Sequence, residues 1–306
     1  MPPLLRPYPR SNPNSPRRAG LSAHRSRGAA TLLALLLGGY LAVLAGLWWK
    51  QESLLFQPDV LPVDHRFDVP ADVRELFIDV PGGRLNALHM RLPHPAGVVF
   101  YLHGNGGSLQ SWFVRTHDFY RALNVDLYMI DYRGYGKSTG VNTDEAQLMA
   151  DVQAAWQQVA ASYEGRPVIF LGRSLGTGLA AKLAADLPEA RRPDLLILVS
   201  PYVSMKQQAA DMYPYVPSSL LRYPLHTDEA LRRLDGGHTR ILLLHGDRDT
   251  LIPYPHSEAL HALAPASSLV RISGAGHGDI SVFPTYQLAV QQAIREVTQA
   301  ASATSP

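Results

Sequence analysis

The chain has 306 residues, 46% hydrophobic and 18% charged, enough for a sizeable buried core in one large domain or two small ones. Its formal net charge of +2 is uneven: six arginines (Arg6, Arg10, Arg17, Arg18, Arg25, Arg27) fall in residues 1–27 with no acid, leaving 22 basic residues (28 − 6) against 26 acidic ones beyond residue 49, a formal −4. A mildly acidic body argues against nucleic acid, and the absence of cysteine excludes disulfides, thiolate catalysis, thiolate zinc and an acylated cysteine.

Residues 1–27, rich in Pro, Ser and Arg, are expected to be a disordered basic tail. Gly28 to Trp49 then runs 22 residues without a charge. As a helix it is roughly 33 Å long, against a hydrocarbon core of about 30 Å. Arginines precede it, and Trp48, Trp49 and Lys50 close it as an interface belt. The expectation is an uncleaved transmembrane anchor at 28–49, with the N-terminus in the cytoplasm and the rest of the chain outside. A signal peptide cleaved after Ala45 is the rival, although the run is longer than a usual signal core. Arginine far outnumbers lysine, as in GC-rich genomes. The expected location is a bacterial inner membrane, with the domain on the periplasmic side.

Residues 50–73 read as a linker, and a domain is expected over 74–300. "RELFIDV" (74–80) and "LNALHMRL" (85–92) form a hairpin turning at Pro81-Gly82-Gly83. "GVVFYLH" (97–103) and "DLYMID" (126–131) are continuous apolar runs, as expected for strands buried on both faces, with a helix over 111–123 between them. Thr143 caps a helix over 143–163 that has acids in its first turn. Strands at 167–172, 194–200, 241–246 and 268–273, a helix at 175–187 and a closing helix near 285–298 complete an α/β pattern with a mostly parallel sheet. Residues 201–237, with four Tyr and four Pro, interrupt the alternation and read as a small cap over the ligand end of the sheet.

"DYRGYGKSTG" (131–140) matches two catalytic motifs and satisfies neither. A phosphate-binding loop needs glycine where Asp131 stands, and a helix beginning at its Lys-Ser. A nucleophile elbow needs strand, serine and helix almost without a gap, whereas Ser138 sits seven residues past its strand. "VIFLGRSLGTGLAAKLA" does have that context. Gly172-Arg173-Ser174-Leu175-Gly176 lies between an apolar strand and an Ala/Gly-rich helix, which makes Ser174 the nucleophile candidate.

A serine needs a base and a carboxylate to orient it, in the chain order Ser, acid, His for this fold. "ILLLHGDRDTLIP" offers Asp249 and "SLVRISGAGHGD" offers His277. Asp249 is preferred to Asp247, which reads as a turn acid, and Asp279 is a weaker third. The oxyanion requires backbone N–H donors: one from Leu175, after the nucleophile, and one from "HGNGG" (103–107), where Asn105 is the candidate. His103 is expected to shape that loop. The 12 histidines show no metal-ligand spacing, and no cofactor is implied.

With these motifs in hand, the chain resembles the α/β-hydrolases, in particular a membrane-anchored branch that includes protein depalmitoylases and lipid-directed serine hydrolases. "SLLFQP", "HGNGG", "DYRGYGKSTG", "LGRSLGTG", "SPYVSM", "LHGDRDTLIP" and "GAGHGD" carry the resemblance in order over roughly three quarters of the chain. It implies an α/β-hydrolase fold with nucleophile, acid and base at Ser174, Asp249 and His277, and a structural turn at 131–140. The palmitoylated cysteines of some relatives are absent here. The expectation is a serine hydrolase of lipophilic esters or thioesters, with small-molecule or lipid substrates, a membrane contact through 28–49, and neither nucleic acid nor nucleotide as partner. The rivals are an amidase or peptidase with the same triad, and a non-catalytic membrane-tethered binding protein.

Overall fold

The computed structural model describes residues 19–304, in two compact units that divide between Trp49 and Lys50. The first unit is a helix, α1 (Ala19–Trp49), whose portion Gly28–Trp49 is long and apolar enough to cross a membrane. Residues 19–27 are therefore helical rather than part of a disordered tail. They contain no proline, and a long helix propagates into such a flank more easily than it stops. Residues 1–18 of the expected tail lie outside the described residues.

The second unit is built on an eight-stranded sheet of order β10-β9-β8-β7-β4-β6-β3-β2. Its hairpin pairs β2 (Val73–Val80) with β3 (Gly83–Met90), turning at Gly82, whose φ of 73° suits glycine. The antiparallel β3 joins β6 (Asp126–Ile130). From β6 onward all pairings are parallel, through β4 (Val98–Leu102), β7 (Val168–Arg173), β8 (Leu195–Val199), β9 (Arg240–Gly246) and β10 (Ser268–Ile272). Every residue of β4, β6 and β8 is buried, which is why their sequences are continuous apolar runs. Alternate side chains feed two cores, one containing Phe100, Tyr128 and Phe170, the other Tyr101, Met129 and Leu171.

Helices α3 (Leu109–Ala122), α4 (Glu145–Ala160), α5 (Leu175–Asp186), α8 (Pro255–Leu263) and α9 (Pro284–Thr304) alternate with the strands. The cap of α4 is Asp144, not Thr143. The Asp144 carboxylate accepts the Gln147 N–H at 2.9 Å, while the Thr143 hydroxyl donates to Asp144. Of the expected cap over 201–237, α6 (Met205–Met212) and the following chain depart from the α/β alternation. By contrast, α7 (Thr227–Leu234) buries Ala230, Leu231 and Leu234 and packs on α5 as an ordinary flanking helix.

Residues 50–73 are not a linker. After α2 (Gln51–Leu55), Phe56 is buried in the core, edge-on to Tyr223 at 5.2 Å and to Tyr135 at 6.3 Å between ring centroids. A two-residue strand, β1 (Gln57–Pro58), pairs with β5 (Gly106–Gly107), and Leu61 N–H reaches the Gly136 carbonyl at 2.8 Å. These contacts leave no periodic trace, so hydrophobic patterning alone passes over them. Deleting residues 1–49 should therefore leave a folded domain, whereas deleting 1–58 should lower its Tm markedly. Phe56→Ala in the shorter deletion should cost about 3–5 kcal/mol, read from the urea midpoint.

Candidate active site

The site assembles at the C-terminal edge of the parallel strands, where the loops after β4, β7, β9 and β10 meet. Ser174 ends β7 and begins α5 with φ 51° and ψ −117°, a conformation that non-glycine residues rarely hold. Its neighbours permit this because they lack side chains. A Cβ on Gly172 would stand 2.4 Å from the Gly176 carbonyl oxygen, and one on Gly176 would stand 2.0 Å from that of Leu102. A Cβ on Gly178 would meet the Tyr202 hydroxyl at 2.2 Å, and that hydroxyl donates to the Leu175 carbonyl at 3.0 Å. Strand and helix thus pack at backbone distance, with the serine on the bend.

The loop after β10 brings His277 to Ser174, with Nε2 3.0 Å from Oγ. On its other side, Nδ1 lies 2.7 Å from Oδ2 of Asp249, in the loop after β9. A carboxylate can only accept, so Nδ1 carries the hydrogen and Nε2 is left to accept from the serine hydroxyl. The second Asp249 oxygen accepts the N–H groups of Leu251 and Ile252 at 3.0 and 2.9 Å, which fixes the carboxylate plane. Burial raises the Asp249 pKa, but bonding to His245, His277 and the Ile252 N–H outweighs it and holds the carboxyl well below the usual carboxylate range. The side chain is fully buried, so the charge is shielded from water but not from its partners.

The other acids fall elsewhere. Asp247 accepts the Gly274 N–H at 2.8 Å and pairs with the exposed Arg271, as a turn acid does. Asp279 accepts the Gly276 N–H at 2.7 Å within the histidine loop. Ser138 is also structural: its hydroxyl accepts the Asn86 N–H at 2.7 Å and donates to the Asp131 carbonyl at 2.8 Å. Asp131 itself accepts the Leu109 N–H at 2.9 Å, at the start of α3.

The loop after β4 is pinned from several sides. The Asn105 carbonyl accepts the Gln57 N–H at 2.8 Å and the Tyr135 hydroxyl at 2.5 Å. His103 Nδ1 lies 2.7 Å from the Gly104 carbonyl and must donate to it, which fixes the peptide plane that carries the Asn105 N–H. Among the described residues, neither the Asn105 N–H nor the Leu175 N–H has a protein acceptor. A cavity of about 820 Å³ lies at the opposite edge of the sheet, lined by Tyr163, Arg166 and Asp194, and contains none of these groups.

Two contributors escaped the sequence. Arg173, inside the elbow, is buried and donates to Ser200 Oγ at 2.7 Å and to the His277 carbonyl, tying β7, the start of the loop after β8 and the histidine loop together. His245, fully buried, lies between the Ser257 hydroxyl at 2.6 Å and the Ile252 carbonyl at 2.7 Å, with Nε2 3.4 Å from Asp249. Its place four residues before the acid was the signal available.

This fold and elbow define a class. The chain has the α/β-hydrolase fold and is similar in sequence to α/β-hydrolases. The profile of the family described as serine aminopeptidase, S33, matches residues 93–223. An uncharacterized protein of Mycobacterium tuberculosis is 29% identical over 263 residues, 83% of this chain and 89% of that protein. Protein bem46 of Schizosaccharomyces pombe is 27% identical, over 77% of this chain and 79% of its own. Human alpha/beta hydrolase domain-containing protein 17B is 28% identical, over 70% and 72% respectively. Among solved structures, a Pyrococcus furiosus esterase superposes with TM-score 0.63 at 17% identity, covering 80% of this chain and 98% of its own.

Gly176→Ala should prevent formation of the soluble domain, because the new methyl would overlap the Leu102 carbonyl and neither backbone can yield. Ser138→Ala should lower Tm without removing labelling of Ser174 by a fluorophosphonate. Loss of that labelling in a folded Ser138→Ala protein would reverse the assignment of the two serines.

Proposed function

We propose that the protein is a serine hydrolase that cleaves carboxylic esters or thioesters through an acyl-enzyme. The observation that carries this reading is the continuous hydrogen-bonded chain Ser174–His277–Asp249 at a strained elbow. Ser174 Oγ attacks the substrate carbonyl as His277 Nε2 takes its proton. His277 returns that proton to the departing alkoxide or thiolate, so the carbon–leaving-group bond breaks with charge balanced. Water, deprotonated by the same nitrogen, then opens the acyl-enzyme and restores Ser174. Asp249 keeps the imidazole in the required tautomer and stabilises the imidazolium. The N–H groups of Leu175 and Asn105 are the donors for the oxyanion. No cofactor takes part.

Lipophilic acyl esters are the substrates this reading favours, given the apolar helix that precedes the domain. The aminopeptidase family profile supports a second reading, cleavage of peptide amides by the same residues. A panel of acyl esters, acyl thioesters and aminoacyl amides separates the two. The ester reading requires turnover of graded acyl chains, and turnover of the amides alone would replace it.

Ser174→Ala should abolish fluorophosphonate labelling and ester turnover. Asp249→Asn should lower kcat about 10⁴-fold, as loss of the orienting carboxylate does in other triads, whereas Asp247→Asn should cost far less. The reverse ranking would move the acid to Asp247.

The reading includes a single membrane pass through Gly28–Trp49, in a bacterial inner membrane, with the hydrolase domain on the periplasmic side. Alkaline carbonate should leave the intact protein in membranes, and protease added to spheroplasts should digest the domain. A mature chain beginning at Gly46 would instead identify a cleaved signal, and protection in intact spheroplasts would reverse the orientation.

A further inference from the structure

The chain that leaves the apolar helix is bonded to one particular part of the hydrolase body. Two residues past Trp49, Gln51 donates from Nε2 to the Leu220 carbonyl at 2.7 Å and accepts the Arg222 N–H at 2.9 Å. Glu52 takes the Arg222 guanidinium at 2.8 Å, and the Tyr223 hydroxyl lies 3.4 Å from the same oxygen. These partners are some 170 residues apart in sequence, and all lie in the insertion between β8 and β9. Within the insertion, a bridge between Ser204 and His226 closes the base. Its helix α6 is in turn fixed to the acid loop, Gln208 Nε2 donating to the Leu251 carbonyl at 2.5 Å, and to α8, where Asp211 meets His256 at 3.1 Å.

This block also exposes large apolar side chains. Leu54 on α2, Met212 and Tyr213 at the end of α6, and Tyr215 just beyond are 56%, 47%, 55% and 85% exposed, and Leu251 of the acid loop is 41% exposed. Tyrosine suits a boundary with one wet and one apolar side. Chain length sets the distance to such a boundary. Two residues of extended chain reach at most about 7 Å. One headgroup layer is about 5–8 Å thick, half the difference between the whole bilayer and its hydrocarbon core.

We propose that α2 and insertion residues 205–223 form a bilayer-docking surface, seated on the headgroup layer of the membrane that Gly28–Trp49 crosses. The proposal rests on that helix being an inserted anchor. The occupant is lipid because the end of the span and the clamped residues cannot separate by more than a headgroup layer. The acid loop then lies on the membrane side of the body, and an acyl ester leaving the bilayer meets the insertion on its way to Ser174.

The chain has no cysteine, so single cysteines report cleanly. Full-length protein carrying Val43→Cys, Leu54→Cys, Tyr213→Cys, Tyr215→Cys or Leu288→Cys is labelled with a polarity-sensitive bimane. Each is reconstituted in phosphatidylcholine–phosphatidylglycerol vesicles, with or without lipid bearing a nitroxide near its headgroup. Fluorophosphonate labelling of Ser174 establishes that each variant is folded. Position 43 reports the anchor, and position 288, on α9, is the control. Loss of emission with nitroxide lipid at 54, 213 and 215, but not at 288, supports the proposal. Quenching at 43 with 213 and 215 no different from 288 overturns it and leaves the anchor standing. Blue-shifted but unquenched emission at 213 and 215 means that protein, a second copy or a partner, covers the surface, and also overturns it. No quenching at 43 removes the anchor reading itself, and the proposal with it.

Discussion

The left-handed backbone at Ser174 is the constraint on which the site depends. Holding a serine at φ 51° costs about 1–3 kcal/mol, which persists only where surrounding structure over-determines it. Here β7 is paired on both sides, to β4 and to β8, and α5 lies against it at backbone contact. The Ser174 N–H is taken by the Val199 carbonyl at 2.9 Å, and the Ser174 carbonyl is bonded by the Thr177 hydroxyl at 2.6 Å. With its own amide and carbonyl engaged, the residue has no relaxed alternative that keeps the sheet. Its side chain projects from the bend, and the next N–H, that of Leu175, is left without a protein acceptor beside it.

The same strain recurs one strand over. Ser200 also has φ 51°, and its N–H is held by the Leu244 carbonyl at 2.8 Å. Its hydroxyl accepts from Arg173, whose guanidinium also reaches the His277 carbonyl. Arg173 is buried, and among the described residues no carboxylate pairs with it. A desolvated cation of this kind is tolerated when its donors meet fixed acceptors, and both of its acceptors sit on loops that carry the site. Position of the histidine loop is thereby referred back to the elbow rather than left to the loop's own conformation.

Much of this was legible in the sequence, for reasons that can be named. Buried strands appear as apolar runs because β4, β6 and β8 have two covered faces, and the elbow appears because close packing demands glycines at 172, 176 and 178. The order Ser174, Asp249, His277 follows from the order of strands, which confines the acid to the loop after β9, and reading Asp247 as a turn acid leaves Asp249, which lies 2.7 Å from the imidazole. What was not legible depends on single long-range contacts. A lone Phe56 and a two-residue strand have no period, so residues 50–73 looked like a linker. Thr143 and Asp144 are both good caps, and only geometry distinguishes the carboxylate that reaches Gln147. Arg173 and His245 sit inside motifs whose other residues carry the pattern, and their partners are 27 to 104 residues and 7 to 12 residues away respectively.

Residues 51–58 tie the insertion between β8 and β9 to the loop after β4. Residues 51–58 begin directly after the apolar helix, clamp the insertion through Gln51 and Glu52, and then give the Gln57 N–H to the Asn105 carbonyl. That bond and the Tyr135 hydroxyl hold one face of the loop after β4, while His103 holds the peptide plane carrying the Asn105 N–H. A donor for developing charge is effective in proportion to how little it must reorganise, so on the proposed reading the loop's rigidity bears on chemistry as well as on stability. Tyr135 belongs to the 131–140 turn, whose Ser138 hydroxyl closes it onto Asp131 and Asn86. The turn that imitates two catalytic motifs thus supports the loop after β4 through Tyr135, and residues 51–58 support it through Gln57.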